Sequence, residues 1–374
     1  MTAVSLPINV GFVGLSSAGW AATTLGPSLL HPSLQKKYKL IAVSTTSEDS
    51  ANASAKKHSS QLGHVVQAYS GDTAQIAANP DVDLVVVSVR PWHQKNAILP
   101  IIEAKKNFFL EWPVGRDLKE TLEIAEAAHK HDVRSIVGLQ TRRSPVVRKV
   151  KELVESGTIG IVRSTTLIGI FPREGRFWPP EISADNVFTL DKSNGASPLR
   201  VVAGPQLDPL IHTLGDFRTI NATAATIYPT ATILGADGQP TGETGSAVVP
   251  DHYTISGQLA SGALATIVWR TAFSRTRGRT QFRWEIDGEE GSIRVEADNS
   301  SHMNIHSKRT LFLNGERVEV QGVEEGVVGT LVSVWDAYVA GQEGEYATID
   351  DAVKTHRILD AVERSLLEGQ AIVL

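Results

Sequence analysis

Short continuous apolar runs punctuate the first part of the chain: Ile8–Gly14, Leu40–Ser44, Leu84–Val89, Phe108–Glu111 and Ser135–Leu139. Runs of this length without alternation predict strands of a parallel sheet buried on both faces. Between them the period changes. In Asp117–His131 the residues Leu118, Leu122, Ile124 and Ala125 recur at helical spacing, which predicts an amphipathic helix. Strand and helix in alternation is the pattern of a doubly wound α/β sheet.

After Gly160 the texture differs. A strand-like run, Val162–Phe171, leads into a stretch rich in Pro and Gly from Pro172 to Pro209. Long β-branched segments follow at Phe217–Ile227, His252–Leu259, Ala263–Phe273 and Gln281–Ile286, with the turn pairs Ser261-Gly262 and Asp287-Gly288. A helical tail is predicted from Val328 to Leu367. These features predict an α+β domain with an open, mostly antiparallel sheet. The division expected is 1–145 for the α/β domain and 146–374 for the α+β domain, whose C-terminal helix returns to the first. The strands Ala263–Phe273 and Gln281–Ile286 are rich in Val, Ile, Phe and Trp, so the open sheet face is expected to join copies into a homodimer or larger homo-oligomer.

Composition narrows the function. At 374 residues the chain exceeds one ordinary domain. A net charge of −5 speaks against coating nucleic acid or anionic membrane. No apolar run nears the ~20 residues of a membrane span. Met1 to Pro7 has no basic and apolar leader pattern, so no secretory signal is expected and a cytoplasmic location is. With no cysteine there is no disulfide, thiolate nucleophile or cysteine-bound metal. His129 and His131, or His302 and His306, have no third ligand at metal spacing, so no metal is expected.

Candidate chemistry begins where the first strand ends. Gly14-Leu15-Ser16-Ser17-Ala18-Gly19 is a dinucleotide-binding fingerprint with Ser16 in place of its second glycine. Gly14 would allow the tight turn, Gly19 would let the next helix pack closely, and the amides of Ser16, Ser17 and Ala18 would hold a pyrophosphate. This is the loop of a Rossmann domain. The second strand should end in an acid that grips the ribose 2′-hydroxyl, but the chain reads Ser44-Thr45-Thr46. Without a carboxylate a 2′-phosphate is tolerated, so NADP is expected ahead of NAD.

Further blocks resemble the glucose–fructose oxidoreductase, inositol dehydrogenase and MocA family. Ala104 to Pro113 is similar to that family's A-G-K-H-V-x-x-E-K-P segment, and Ser88 to His93 to its T-P-x-x-x-H loop, with Val89 for the proline. Gln140 to Pro145 and Gly157 to Gly160 resemble its Q-x-R-x-x-P and G-x-I-G landmarks. The resemblance implies that Arg90, His93, Glu111, Trp112 and Pro113 line the cofactor, and that Trp112, Gln140 and Arg142 meet the substrate. It also exposes a departure: the lysine of E-K-P, a proton-transfer residue in the family, is Trp112. Such a tryptophan occurs in the non-catalytic branch that contains the yeast galactose-regulon repressor, which this chain also resembles at Gly11–Leu15, Arg142–Pro145 and Val249–His252.

The family's second catalytic block fits in two registers. One places Val201, Pro205 and Asp208 at the Asp, His and following Asp; the other takes Asp208 and His212 as the acid/base pair. Asp208 and His212 stand one helical turn apart and could share a cleft. Equally, Asp208-Pro209 could be an N-cap with proline at N1. Arg270, Arg275, Arg277, Arg279 and Arg283 form the most basic stretch, read as a solvated face ahead of an anion site. Three functions stay open: an oxidoreductase moving hydride between a nicotinamide and a carbonyl or secondary alcohol of a small polar substrate; a non-catalytic dinucleotide-sensing regulator with a protein partner; and a cofactor-retaining isomerase.

Overall fold

In the computed structural model, residues 7–298, 309–321 and 326–374 are described below. Two compact units do not follow the chain as consecutive blocks: one comprises Met1–Arg143 with Val327–Val353, the other Ser144–Gly326 with Lys354–Leu374.

The first unit holds a parallel sheet of β1 (Ile8–Val13), β2 (Tyr38–Thr45), β3 (Gln67–Ser70), β4 (Leu84–Val87), β5 (Asn107–Leu110) and β6 (Ser135–Val137). Their order, 3-2-1-4-5-6, is that of a dinucleotide-binding sheet, with the order reversing between β1 and β4. All four residues of β4 are buried, as a strand covered on both faces requires. The apolar runs located five of the strands. β3 escaped because Gln67, Tyr69 and Ser70 leave no apolar run at this sheet edge. The predicted helix is Leu118–His131, and Asp117 caps it by accepting from the Glu120 N–H at 2.9 Å.

The tail is two helices, Gly326–Val339 and Ile349–Glu368. The first packs in the same core as Phe12, Leu40, Val86 and Phe109 through Trp335 and Tyr338. Its Trp335 indole donates to Ser28 Oγ at 3.1 Å, and Tyr38 O–H donates to the Trp335 carbonyl at 2.7 Å.

In the second unit the strands are β7 (Val162–Pro172), β8 (Glu181–Ser183), β9 (Phe217–Ala225), β10 (Thr230–Leu234), β11 (Pro240–Ser246), β12 (His252–Leu259), β13 (Leu264–Phe273), β14 (Phe282–Gly288), β15 (Ser292–Ala297), β16 (Thr310–Leu313), β17 (Glu316–Val318) and β18 (Ile372–Val373). Nine of them form one sheet, 17-16-15-14-7-13-12-9-18, antiparallel except where β7 meets β13. The stretch after Pro172 contributes β8 to a small sheet with β10 and β11, which has its own core of Ile182, Leu190, Ala231, Ile233 and Ala247.

Alternation along the large sheet corrects the reasoning behind the adhesive face. Ile267, Trp269, Phe282, Trp284 and Ile286 are buried, whereas the intervening Thr266, Arg270, Arg283 and Glu285 point the other way and are at least partly exposed. The large apolar side chains thus face the core, and the outer face carries threonines and charges around Ile168 and Val268. The turn signal at 287–288 also moves: Asp287 pairs with Ser292, and the Gly288 N–H bonds to the Gly291 carbonyl, so the reversal lies at Glu289-Glu290.

Candidate functional site

The carboxyl ends of β1, β2, β4 and β5 carry the first unit's candidate cofactor residues, where a doubly wound sheet binds its ligand. Gly14 has φ +91°, and its N–H donates to the Ser44 carbonyl at 2.8 Å. A Cβ there would lie 2.1 Å from the Ser88 carbonyl oxygen, so only glycine lets the turn pass between β2 and β4. Gly19 differs from expectation. Its φ is +81°, yet a Cβ would meet nothing within 4 Å, so it serves the backbone conformation and not close helix packing. The close approach belongs to Gly26, whose added Cβ would sit 2.9 Å from Leu15 Cδ1. Ser17, Ala18 and Gly19 are exposed at the start of the helical stretch, where amides lack partners inside a helix, and this fits a pyrophosphate.

At the end of β2, Ser44, one of the residues expected at the cofactor, is only 1% exposed, so its hydroxyl is not presented there. Thr45 Oγ1 donates to the Ser47 carbonyl at 3.1 Å, and Thr46 is exposed beside the helix Glu48–Leu62. Arg90 and His93 are exposed at the N-terminus of the helix Pro91–Glu103, where Arg90 is the N-cap residue.

Glu111 is the electrostatic centre of this region. The Trp20 indole donates to Oε2 at 2.9 Å and the Trp112 N–H to Oε1 at 3.1 Å. Burial pushes its carboxyl up to about 7, the two hydrogen bonds offsetting only part of the desolvation. Gly138 makes the space: a Cβ there would lie 2.1 Å from Glu111 Oε1. Buried Gln94 fixes the same strand end, donating to the Glu111 carbonyl at 2.8 Å and accepting from the Gly115 N–H at 2.8 Å. Trp112 is 8% exposed, and its bond to Pro113 is cis.

Other expected residues are placed differently. Gln140 is buried, with Oε1 unpartnered. Arg142, assigned to substrate, is 4% exposed and pairs with Asp351 at 3.3 Å. Burial acts to raise Asp351, but the Arg142 charge and bonds from Thr348 hold it below the ordinary carboxylate range. Arg142 therefore braces the start of the helix Ile349–Glu368.

In the second unit the helix Gly204–Leu214 continues directly from a π-turn, Leu199–Ala203. Pro209 lies inside that helix, so Asp208 is not its N-cap. Asp208 is wholly buried; His212 is half-buried, with Nε2 3.1 Å from Lys151 Nζ. An ammonium only donates, so His212 Nε2 is the acceptor. Lys151, unflagged in the sequence, also lies 3.6 Å from Glu155. Arg283 pairs with Glu296 at 3.0 Å and Arg279 lies over Phe273, while Arg270, Arg275 and Arg277 are exposed. His129 meets Asp350 at 3.0 Å, and His302 and His306 lie outside the described residues. Among the described residues no group of three His, Asp or Glu is spaced for a metal.

Residues 8–139 match the oxidoreductase family with an NAD-binding Rossmann fold, and residues 145–297 match the C-terminal domain of Gal80p. Across 98% of both chains the sequence is 31% identical to a protein named dehydrogenase aclE of Aspergillus oryzae. The chain belongs to the NAD-binding oxidoreductase family. Within it, the galactose/lactose metabolism regulatory protein GAL80 of Saccharomyces cerevisiae is 26% identical over 88% of this chain and 76% of its own. A crystal structure of a super-repressor mutant of Gal80p from that yeast superposes with a TM-score of 0.88 at 22% identity, covering 99% and 98% of the two chains. The family fold implies a nicotinamide dinucleotide as cofactor, and the exposed Ser17–Gly19 turn and the Glu111 network fit one.

Among the described residues no helix is long and apolar enough to cross a membrane. Trp20, Gln94 and Gly138 were not legible as site residues. Each acts through Glu111, and only a strand-by-strand alignment of the carboxyl ends could have grouped them.

Proposed function

We propose that the chain is an NADP(H)-preferring oxidoreductase acting on a carbonyl or secondary alcohol of a small polar substrate. The observation that carries this reading is the Gly14–Gly19 turn at the reversal of a 3-2-1-4-5-6 sheet, in a chain similar over its length to a dehydrogenase. The exposed amides of Ser17, Ala18 and Gly19 would hold the pyrophosphate, and Thr45 and Thr46, with no carboxylate, the adenosine ribose. When bound, the dinucleotide supplies a hydride donor or acceptor. The chain's own residues orient, exclude water and handle the proton.

For the proton the candidates are Asp208 and His212, the latter with Lys151 at its Nε2. Trp112, in place of the family's lysine, supplies an apolar wall and no proton. The test is a screen of sugars, polyols and ketones for NADPH oxidation or NADP reduction. Loss of general acid–base help typically costs ~10²–10⁴-fold, so Asp208→Asn or His212→Ala should lower turnover by that order while dinucleotide affinity holds. Turnover unaffected by both substitutions removes the acid–base assignment.

Two observations favour a second reading. The absent lysine and the match of residues 145–297 to the Gal80p C-terminal domain support a dinucleotide-sensing regulator. On that reading NADP(H) binds, but no substrate is turned over, by the wild type or by Trp112→Lys.

A further inference from the structure

Glu111 directly follows β5 at the carboxyl edge of the parallel sheet. In a 3-2-1-4-5-6 sheet the half built on β1 to β3 takes the adenosine, and the half built on β4 to β6 takes the nicotinamide end. Glu111 therefore belongs to the nicotinamide half. It is also tied to the pyrophosphate turn, because the Trp20 indole that donates to its Oε2 comes directly after Gly19. Phe108, Phe109 and Leu110 before it are fully buried, whereas Glu111 keeps part of its surface open to a ligand.

Its immediate surroundings are polar but uncharged. Trp20 and the Trp112 N–H each donate to one carboxyl oxygen, Gln94 holds the Glu111 carbonyl, and Gly138 brings no side chain from the β6 side. Arg90 and His93, the ionisable residues where the helix Pro91–Glu103 begins, are exposed. No charged group contributes to the state of the carboxyl. Burial raises it to about 7, and only the two hydrogen bonds act against that. The residue that follows, a lysine in the family pattern, is the uncharged Trp112.

Glu111 is thus a ligand-accessible carboxyl without a counter-charge. The two oxidation states of a nicotinamide differ in this respect: the oxidised ring is positive and the reduced ring neutral, while the phosphates are the same in both. An opposite charge close to a carboxyl favours its ionised form.

We infer that Glu111 distinguishes the two states, releasing its proton to solvent when the oxidised dinucleotide binds and keeping it when the reduced one does. The carboxylate then pairs with the positive ring, so affinity for the oxidised form rises with pH. This rests on the dinucleotide reading proposed above, but on no substrate and no turnover.

The test is calorimetric titration of the full chain at pH 6, 7 and 8, each in two buffers of different ionisation heat, which counts the protons released. NADP and NADPH are the probes; NAD and NADH repeat the comparison without the 2′-phosphate, which itself titrates at about pH 6. At pH 6 the oxidised form should release about half a proton or more beyond the reduced form. Its affinity relative to the reduced form should rise about 5- to 10-fold from pH 6 to pH 8. In Glu111→Gln both differences should vanish. Infrared difference spectra of the wild type give a check that needs no variant: the band of a protonated carboxyl should fall when NADP binds at pH 6 and persist when NADPH binds. Equal proton release by the two forms, an affinity ratio that does not change with pH, or differences that survive in Glu111→Gln overturn the inference and leave the cofactor reading standing. Binding of neither form overturns both.

Discussion

Glu111 makes a pH-dependent prediction whose sign and size follow from its surroundings. Burial raises its carboxyl from 4.5 to about 7 in the folded chain. At about 1.36 kcal/mol per pH unit, this shift favours the neutral form by roughly 3 kcal/mol, an upper bound because part of Glu111 remains in contact with solvent. Between these two values the folded state binds a proton that the unfolded state has released. Stability contributed by the neutral acid is therefore full below pH 4.5, declines as pH rises, and is lost above about 7. Glu111→Gln removes the titration. It also sets one amide N–H against a donor, because the Trp20 indole and the Trp112 N–H both need an acceptor. That mismatch should cost ~1–3 kcal/mol at low pH. The variant should thus be less stable than wild type near pH 4.5, and the gap should close or reverse by pH 8. The assay is the urea midpoint of both proteins at half-unit steps across that range. A stability difference that stays constant through the range would refute the reasoning.

Further outcomes follow from the same geometry. Gly14→Ala puts a Cβ 2.1 Å from the Ser88 carbonyl at positive φ. It should lower stability in urea unfolding by roughly 3 kcal/mol or more and weaken every dinucleotide, whereas Gly19→Ala, with open space, should cost only the ~1–2 kcal/mol of the left-handed conformation. Thr45→Asp places a carboxylate at the end of β2 and should reverse the preference for NADP(H) over NAD(H) in calorimetric titration; unchanged preference argues against the β2 end as the selecting element. Because the outer sheet face mixes Ile168 and Val268 with Arg270, Arg283 and Glu285, a homodimer through it should weaken at high salt. Light scattering at low and high ionic strength checks this, and a monomer at micromolar concentration in both removes the interface.

Sequence patterns reported the fold well where one force dominated. Strands buried on both faces, such as Leu84–Val87, show as uninterrupted apolar runs, and the amphipathic helix Leu118–His131 shows its period and its Asp117 cap. The short edge strand Gln67–Ser70 and the hydrophilic strand Pro240–Ser246 carry no such signal. Of the two readings left open for Asp208, the N-cap one fails for a definable reason. Asp-Pro is a strong N-cap pattern, but a π-turn and two prolines are tolerated within one buried helix, so tertiary packing overrode the local preference. The Gly14–Gly19 turn was legible because its backbone conformation is set locally. The burial of Ser44 and the ion pair of Arg142 were not, since they depend on distant neighbours such as Asp351.

The central claim is that the Gly14–Gly19 turn binds a dinucleotide and that the end of β2, with no carboxylate, selects NADP(H). Calorimetric titration of the wild-type chain with NADPH, NADP, NADH and NAD tests it most directly. The expected result is one site per chain, tighter for NADP(H) than for NAD(H), with affinity reduced in Gly14→Ala. Absence of binding by all four at millimolar concentration, with the protein folded, would contradict the claim; NAD(H) as the tighter ligand would contradict the selectivity.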